Sequence, residues 1–355
     1  SNYLAEKASS FLPHSCHTYR DCVIMCLVSE ASSNLSGWQP PCLVPERTKQ
    51  VSRQTSQLNG YRRLGTMDTL ITRAAKDLIS SKHAIALTGA GISTESGIPD
   101  FRGPSGVWTK NPQAEKRAYL SYQRFSEDPS GWWRERLSEP GSTRAFSEAE
   151  PNTGHQALAE LEAMGIIQCV ITQNVDALHE KAGTNYLLKY HGSVMRLRCV
   201  SCSTRFDRDT FDLDQLLRDN LLPPHCPKCE GVVKTDSVAF GEPIPSDIAR
   251  QSLIEAEKCD LMLICGTSAV VYPFAQLPRI ARHRSATTQA TNRADIYTKD
   301  NDSAVTIIEV NAEPTPLTEE GISDYLISGK TGEILPNIVA EVRSLEVKML
   351  QNEKQ

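Results

Sequence analysis

Short apolar stretches alternate with stretches of helical spacing along most of this chain, and this alternation limits the folds that it can adopt. Four stretches have the length and composition of buried strands: 83–88, 167–172, 260–265 and 305–310. Apolar residues recur at helical spacing within 68–79, 155–164, 246–259 and 338–347. Strands that are apolar throughout and separated by helices form a parallel sheet covered on both faces. We therefore expect an α/β fold with a Rossmann-like parallel sheet and helices on both of its faces.

Polar residues follow three of these predicted strands, at the end where a doubly wound sheet binds its ligand. The three clusters are Thr172-Gln173-Asn174-Val175-Asp176, Gly266-Thr267-Ser268 and Asn311. A single cluster of this kind could be a helix cap or a turn, since Asn, Asp, Ser and Thr serve in both. Three clusters at equivalent points of the topology favour a binding site.

A glycine-containing loop, Gly89-Ala90-Gly91-Ile92-Ser93, follows the first predicted strand. Two glycines let the backbone approach a pyrophosphate, and a helix start beyond them offers N–H groups to the anion. The third glycine of the usual motif is replaced by Thr94, so the motif alone does not separate a dinucleotide site from a tight turn. The next segment, 97–103, combines Gly, Pro, a charge pair and an aromatic without helical or strand periodicity. Such a loop favours wrapping a ligand over packing in a core.

Cys199, Cys202, Cys226 and Cys229 form two Cys-x-x-Cys pairs that 23 residues separate. Two such pairs supply four thiolates to one tetrahedral zinc, which would hold a small inserted module at about 195–236. A redox Cys-x-x-Cys is the alternative, but redox motifs occur singly at the start of a helix. Because four thiolates leave no position for water, the predicted zinc is structural and not catalytic.

The composition of the chain argues against nucleic acid and membranes as partners and indicates a reducing compartment. A formal net charge of -5 provides no basic field for nucleic acid, and no apolar run approaches the roughly 20 residues of a membrane span. Eleven cysteines leave an odd seven after the zinc set. An odd number suits a reducing intracellular compartment, with cytoplasm or nucleus favoured over the mitochondrial matrix.

Three segments differ from the rest of the chain. Residues 1–66 are rich in Ser, Gln, Asn and Pro, so we expect a disordered leader. A transit peptide is disfavoured because this segment also contains acidic residues. Residues 284–304 are polar and aperiodic and predict a mobile surface insertion, and 349–355 are expected to be a tail.

His191 is the histidine best placed for chemistry among the eight in the chain. It precedes Gly192-Ser193 at the junction between the predicted sheet and the zinc module, and clefts form at such junctions. His155 and His179 lie in helix-like contexts and are expected to be structural.

Six motifs, in the same order along the chain, resemble those of the sirtuins, which are NAD-dependent protein-lysine deacylases. They are GAGISTESGIPDFRGPSGVW (89–108), TQNVD (172–176), HGS (191–193), the paired cysteines, FGE (240–242) and GTS (266–268). The resemblance extends from about Asp68 to Leu345 and implies a catalytic domain over 67–348. It also implies that NAD, consumed as a co-substrate, and an acyl-lysine protein meet in a cleft between the Rossmann-like part and the zinc module.

The resemblance assigns site residues one by one. The NAD loop corresponds to Gly89, Ala90, Gly91, Ile92, Glu95, Ile98, Pro99, Asp100, Phe101, Arg102 and Trp108. Further NAD contacts fall on Gln173, Asn174, Val175 and Asp176, with Ile98 and Asp176 at nicotinamide and Asn174 at its ribose. The adenosine side falls on Gly266, Thr267, Ser268 and Asn311. The substrate peptide would pair as an added strand with Val238, Phe240 and Gly241.

The implied catalytic residues are His191, as general base, and Asn174. Nicotinamide leaves a ribose carbon, the acyl oxygen attacks that carbon, and an imidazole near neutral pKa then removes a proton from a ribose hydroxyl. The products are the free lysine, nicotinamide and an O-acyl-ADP-ribose. Protein mono-ADP-ribosylation by the same NAD cleavage is an alternative. A non-catalytic NAD-binding module is another, although it would need neither His191 nor Asn174.

Two residues, Arg136 and Glu139, bear on which acyl group the enzyme would remove from lysine. Sirtuins that prefer succinyl or malonyl lysine carry a Tyr-x-x-Arg pair, and the corresponding residues here are Arg136 and Glu139. A glutamate would repel an acyl carboxylate, so we expect neutral acyl groups, acetyl first. The segment Lys234-Thr235-Asp236-Ser237 replaces the Arg-Pro of many relatives, which leaves the lining of the substrate channel open.

Overall fold

The computed structural model describes residues 66–138, 144–283 and 305–352. The predicted leader (apart from Thr66), the predicted insertion 284–304, Glu139 and the last three residues lie outside these ranges. Within them, no helix combines the length and the apolar character that crossing a membrane requires.

Nine strands in the described part of the chain form two sheets. They are β1 (Ala84–Thr88), β2 (Ile167–Thr172), β3 (Leu187–Lys189), β4 (Arg196–Cys199), β5 (Arg205–Asp207), β6 (Val233–Thr235), β7 (Leu261–Cys265), β8 (Thr306–Asn311) and β9 (Tyr325–Ser328). The main sheet is parallel with the order β3-β2-β1-β7-β8-β9. The α/β fold with a parallel sheet is therefore confirmed, and the four predicted strands correspond to β1, β2, β7 and β8. Neither β3 nor β9 was predicted, because each has only three or four residues.

The α-helices are α1 (Met67–Ser80), α2 (Val107–Lys110), α3 (Pro112–Glu127), α4 (Pro129–Ser138), α5 (Arg144–Glu148), α6 (Thr153–Ala163), α7 (Leu178–Lys181), α8 (Leu213–Arg218), α9 (Ser246–Lys258), α10 (277–283), α11 (Pro316–Glu319) and α12 (Thr331–Asn352). Short 3₁₀ turns cover Ala90–Ser96, Arg208–Thr210 and Phe274–Gln276. The predicted helices match α1, α6, α9 and α12. The last helix extends beyond both predicted ends and includes 349–352 of the predicted tail.

Side-chain alternation along the strands divides the core between the two faces of the sheet. In β1, Ala84 and Ala86 pack in the cluster that α1, α6 and α12 cover, whereas Ile85 and Leu87 pack in the opposite cluster with α9 and α10. All five residues of β1 are buried. A strand with two buried faces is mostly apolar, which explains why this region shows no polar alternation.

The strand order of the main sheet reverses between β1 and β7. It proceeds from β1 to β2 and β3 on one side, then returns to place β7 on the other side of β1. The loops after β1 and β7 therefore leave neighbouring strand ends and diverge, which creates a crevice at this point. Both loops belong to the predicted site.

A third, smaller cluster of buried residues joins α4 to the segment 196–235, and we call these two segments the small lobe. The antiparallel sheet β5-β4-β6 supplies Leu197, Cys199 and Val233 to this cluster. From α4, Trp133 is fully buried and donates its indole N–H to the backbone oxygen of Val233 at 2.9 Å. The predicted zinc module is therefore completed by a helix that lies far from it in the sequence.

Truncation of Trp133 tests this connection. Trp133→Ala should lower the free energy of unfolding by about 3–5 kcal/mol because it leaves a large cavity. Trp133→Phe keeps most of the packing but leaves the Val233 oxygen without its donor, so we expect a loss of about 1–3 kcal/mol. Urea unfolding of zinc-loaded protein measures both. Wild-type stability in Trp133→Ala would contradict the packing role.

Candidate active site

A cleft of about 1190 Å³ lies at the carboxyl ends of the main-sheet strands. Its walls include the segments that follow β1, β2, β3, β6, β7, β8 and β9, together with α3 and α4. The three polar clusters predicted at strand ends therefore converge on one site, as the parallel topology requires.

Most of the predicted site residues line this cleft, including the two implied catalytic residues, His191 and Asn174. The set is Ala90, Gly91, Glu95, Ile98, Pro99, Asp100, Phe101, Arg102, Trp108, Gln173, Asn174, Val175, Asp176, His191, Val238, Phe240, Gly241, Gly266, Thr267, Ser268 and Asn311. Gly89 and Ile92 are not among the lining residues. The Ile92 side chain is buried in the core, and its carbonyl accepts a hydrogen bond from Asn152 at 2.7 Å.

The two glycines of the first loop are required by the loop that follows β7. A Cβ on Gly89 would lie 2.7 Å from the Cβ of Thr267, and one on Gly91 would lie 2.7 Å from the Gly266 oxygen. The Gly91 N–H donates to that same oxygen at 2.7 Å. The loop then forms a 3₁₀ turn and not the α-helix start that we expected. These contacts alone explain both glycines.

A buried hydrogen-bond network links this turn to the segment after β2. Ser93 donates to Asp176 Oδ2 at 2.7 Å, and Asn174 donates to Ser93 Oγ at 3.0 Å and to the Gly89 oxygen at 3.1 Å. Burial raises the pKa of Asp176, although hydrogen bonds from Leu178 and Ser93 oppose the shift. The sequence analysis did not single out Ser93, because a serine within a glycine loop gives no signal of a buried partner.

The His191 imidazole is neutral at physiological pH. Burial lowers its pKa to about 4, and a hydrogen bond with the backbone of Gln173 acts in the opposite direction. Its ring lies beside Tyr190 and Phe274, with centroid separations of 5.6 and 6.4 Å. A neutral imidazole in a cleft can accept a proton from a bound hydroxyl, which is the requirement for a general base.

His155 and His179 lie next to this network, with ring centroids 4.9 Å apart. His179 Nε2 contacts Thr88 Oγ1 at 2.9 Å, and His155 Nε2 lies 3.4 Å from Ser93 Oγ. Burial lowers the pKa of His155 to about 4 and that of His179 to about 3, the latter with a contribution from His155. Both are buried polar residues, and His155 also contacts a residue of the cleft.

The Asn311 side chain holds the loop after β7. Its Oδ1 accepts the Thr267 N–H at 3.0 Å, and its Nδ2 donates to the Thr267 oxygen at 3.1 Å. Gln173 donates to Thr267 Oγ1 at 2.8 Å. Both predicted binding residues therefore position a loop through their side-chain amides.

The charged residues of the loop after β1 have partners that the sequence did not indicate. Glu95 accepts the Gly332 N–H at the start of α12 at 2.8 Å. Arg102 stacks on Trp108 at 4.4 Å and lies 3.7 Å from Glu115. Asp100 accepts the Gly103 N–H at 3.1 Å. Aromatic contacts continue from Trp108 to Phe240, at 5.6 Å.

The predicted substrate edge, 238–241, rests on a buried ion cluster. Arg198 pairs with Asp236 at 2.9 Å and with Glu242 at 2.6 Å, and Lys234 pairs with Glu242 at 3.0 Å. Burial lowers the pKa of Lys234 to about 8, opposed by Glu242. Glu242 also accepts the Ala239 N–H at 2.9 Å. Lys234 and Asp236 stand where many relatives have Arg-Pro. Here both belong to the buried ion cluster that supports the substrate edge.

The four predicted zinc ligands are gathered at one point of the small lobe. All four Sγ atoms lie within 4.8 Å of one another. Cys199 and Cys229 are 3.5 Å apart, and Cys202 and Cys226 are 3.7 Å apart. Tetrahedral zinc with Zn–S bonds of about 2.3 Å requires sulfur separations of about 3.8 Å. The geometry fits a structural zinc, and none of the four cysteines lines the cleft.

Comparison with known proteins identifies close relatives. A family model described as the Sir2 family matches residues 89–273. The chain is 40% identical over 266 residues to NAD-dependent protein deacylase 2 of Pyrobaculum aerophilum, which covers 75% of this chain and 93% of the relative. A crystal structure of a Sir2 homologue–NAD complex is 37% identical, with a TM-score of 0.58 over 77% of this chain and 94% of the other. A Sir2 protein bound to a myristoylated histone peptide is 35% identical, with a TM-score of 0.53 over 79% and 99%.

Removal of one zinc ligand should unfold the small lobe. Structural zinc contributes on the order of 10 kcal/mol to folding in small modules, so Cys226→Ser should lose the metal and most of its soluble yield. Metal analysis should find one zinc per wild-type chain. Cys169→Ala, which changes a buried cysteine of β2, should retain it. A soluble, zinc-loaded Cys226→Ser protein would contradict the assignment.

The buried histidine pair should make stability depend on pH. Because the pKa values of His155 and His179 fall from 6.5 to about 4 and about 3 on folding, the unfolded chain binds more protons below pH 6.5. Stability is then complete above that pH and falls as the pH drops towards 4, by up to about 1.4 kcal/mol per pH unit for each histidine.

Urea unfolding at several pH values measures this loss. His179→Gln keeps a hydrogen-bonding group beside Thr88 but cannot titrate, so its stability should fall less steeply with acidification. An identical slope in the variant and the wild type would show that His179 is not responsible.

Proposed function

We propose that this chain, which belongs to the Sir2 family, is an NAD-dependent protein-lysine deacylase with His191 as its general base and Asn174 as a second catalytic residue. The observation that carries the assignment is the neutral His191 imidazole in the same cleft as Asn174 and the loop after β1. A module that only bound NAD would need neither residue.

NAD would occupy the crevice between the loops that follow β1 and β7. Ile98 and Asp176 would contact nicotinamide, and Asn174 its ribose. The backbone of 266–268, fixed by Asn311 and Gln173, would contact the adenosine half. Gly89 and Ile92 would act from behind the cleft, since neither lines it.

In the reaction, NAD supplies the ribose carbon that accepts the acyl oxygen when nicotinamide leaves. His191 would then remove a proton from a ribose hydroxyl, which attacks the former amide carbon. Its imidazole is unprotonated at neutral pH, but burial places its pKa at about 4, below the near-neutral value expected from the sequence. Asn174 is held by Ser93 and the Gly89 oxygen, so its side chain would be oriented before the ligand arrives. The aromatic rings of Phe101, Trp108 and Phe240 would help exclude water from the acyl group.

The acyl-lysine peptide would enter beside Val238, Phe240 and Gly241 as an added strand. The Val238 N–H donates to the His191 oxygen at 2.8 Å, which connects this edge directly to the general base. The buried cluster of Arg198, Lys234 and Glu242 makes the edge rigid. No direct contact with nucleic acid is part of the proposal.

Neutral acyl groups are the proposed substrates, acetyl first. Two cations of this end of the cleft have acidic partners, because Arg124 pairs with Glu135 and Arg102 with Glu115. Arg136 lies over the Trp132 ring at 4.8 Å. The wall that α3 contributes includes Ala114, Ala118 and Ser121 beside Arg117 and Arg124, so an uncharged acyl chain would pack against the small residues.

The zinc ligands also suggest where the protein works. Four thiols must stay reduced to hold the metal, which supports a reducing compartment such as cytoplasm, nucleus or mitochondrial matrix.

Incubation with NAD and peptides that differ only in their acyl-lysine tests this function. Nicotinamide release should require the acyl peptide, and acetyl-lysine should react faster than succinyl- or malonyl-lysine. Release that is independent of the peptide, with ADP-ribose transferred to protein, would favour the mono-ADP-ribosyltransferase instead. Faster reaction of succinyl-lysine would contradict the neutral acyl preference.

His191→Tyr provides the matched control. Loss of a general base lowers turnover by about 10²–10⁴-fold, while zinc content and thermal unfolding should stay as in the wild type. Turnover unchanged by this substitution would remove His191 from the mechanism.

A further inference from the structure

A carboxylate lies in the middle of the main sheet without contacting the cleft. Glu309 is fully buried in β8, between its register partners Ile264 of β7 and Leu326 of β9. Burial of a carboxylate is costly unless hydrogen bonds replace its water. Three hydroxyls do so: Thr315 donates to Oε2 at 2.5 Å, and Thr318 and Ser323 donate to Oε1 at 2.6 Å.

Two of these hydroxyls also form the cap of α11. Thr315 Oγ1 accepts the Leu317 N–H at 3.1 Å, and Thr318 Oγ1 accepts the Thr315 N–H at 3.2 Å. A hydroxyl has a single proton, and each of these protons points to Glu309. The carboxylate therefore fixes both side chains of the cap in the orientation that lets them accept backbone hydrogen bonds.

The segment held in this way forms part of the cleft wall. Residues 312–316 line the cleft, whereas Glu309, Thr318 and Ser323 do not. Asn311 lies two residues after Glu309 on the same face of the strand. Its side chain holds the Thr267 backbone at both N–H and oxygen. One strand face therefore anchors both walls of the proposed adenosine subsite.

We propose that Glu309 is a positioning residue for the adenosine half of NAD, acting through Thr315 and Thr318. The proposal rests on the proposed function, which places adenosine between these two walls. A carboxylate suits this position because it accepts three hydroxyl protons at once, whereas an amide has one acceptor oxygen and presents N–H donors at the other side. The preformed wall lowers the cost of ordering the subsite when the ligand binds.

Glu309→Gln tests the proposal with NAD, acetyl-lysine peptide and ADP-ribose as ligands. Loss of one charge-assisted hydrogen bond to a loop should raise KM for NAD about ten-fold. The Kd for ADP-ribose should rise by the same factor in calorimetry. The kcat, the KM for the peptide and the inhibition constant of nicotinamide should not change, because His191 and the nicotinamide end lie elsewhere in the cleft.

Glu255→Gln is the matched control for a buried carboxylate. Glu255 is buried, accepts hydrogen bonds from His83 at 2.7 Å and Tyr186 at 3.2 Å, and does not line the cleft. It should lose stability but keep the wild-type KM for NAD. An equal rise in KM for NAD in both variants would reduce Glu309 to a general stabilising residue and overturn the proposal.

Thr318 offers a second route that does not depend on the folding of Glu309→Gln. Thr318→Val removes the hydroxyl and should raise KM for NAD, whereas Thr318→Ser keeps it and should restore the wild-type value. The KM for NAD of the double variant Glu309→Gln/Thr318→Val should not exceed the higher of the two single-variant values. A wild-type KM for NAD in Thr318→Val, or full additivity in the double variant, would overturn the proposal.

The proposed function and the positioning role of Glu309 would be contradicted by different results. If the wild type releases no nicotinamide with any acyl peptide, the proposed function fails. In that case, the Kd for ADP-ribose can still be measured for Glu309→Gln, Thr318→Val and Glu255→Gln, and it tests the positioning role without turnover. If the wild type is active and Glu309→Gln binds NAD and ADP-ribose normally, only the positioning role fails.

Discussion

The backbone contact between the loops after β1 and β7 is the constraint on which the rest of the site depends. The Gly91 N–H donates to the Gly266 oxygen at 2.7 Å, and a Cβ on either of the first two glycines would collide with the second loop. Gly266 itself has a φ of 59°, and a Cβ there would lie 2.3 Å from the Ile92 nitrogen. Contact at this distance brings the ends of two central strands together at the reversal of strand order. The walls of the cleft then follow from the directions in which the two loops leave that point.

The side chains around this contact are held mostly by hydrogen bonds from amide and hydroxyl groups. Asn174, Ser93 and Asp176 bond to one another, and Asn311 and Gln173 hold Thr267. Ionic contacts lie instead below the substrate edge, where Arg198, Lys234 and Glu242 are buried. Burial lowers the pKa of His191, and only a hydrogen bond with the backbone of Gln173 opposes the shift. The arrangement therefore favours a base that is unprotonated before it is needed.

Long, uniform patterns were predictable from the sequence, and single polar partners were not. The strands β1, β2, β7 and β8 are mostly apolar over five or six residues, so their burial in a sheet was evident, whereas the buried Glu309 of β8 was not. The zinc ligands were evident because tetrahedral coordination demands paired cysteines. The strands β3 and β9 are too short to show periodicity. The contribution of α4 to the small lobe depends on tertiary contacts such as that of Trp133, whose partner Val233 lies 100 residues away. The partners of Glu95 and Arg102 likewise follow from tertiary packing.

The missing third glycine of the first loop has a physical explanation in the conformation of that loop. In a dinucleotide-binding motif, the third glycine lets a helix pack closely against the strand that precedes it. Here the chain forms a 3₁₀ turn over Ala90–Ser96 and then continues into the loop that carries Ile98 to Arg102. Thr94 is exposed, and its hydroxyl donates to the Gly91 oxygen at 2.9 Å. A side chain is therefore tolerated where a helix would have excluded it, and the segment that would have been helical is free to line the cleft.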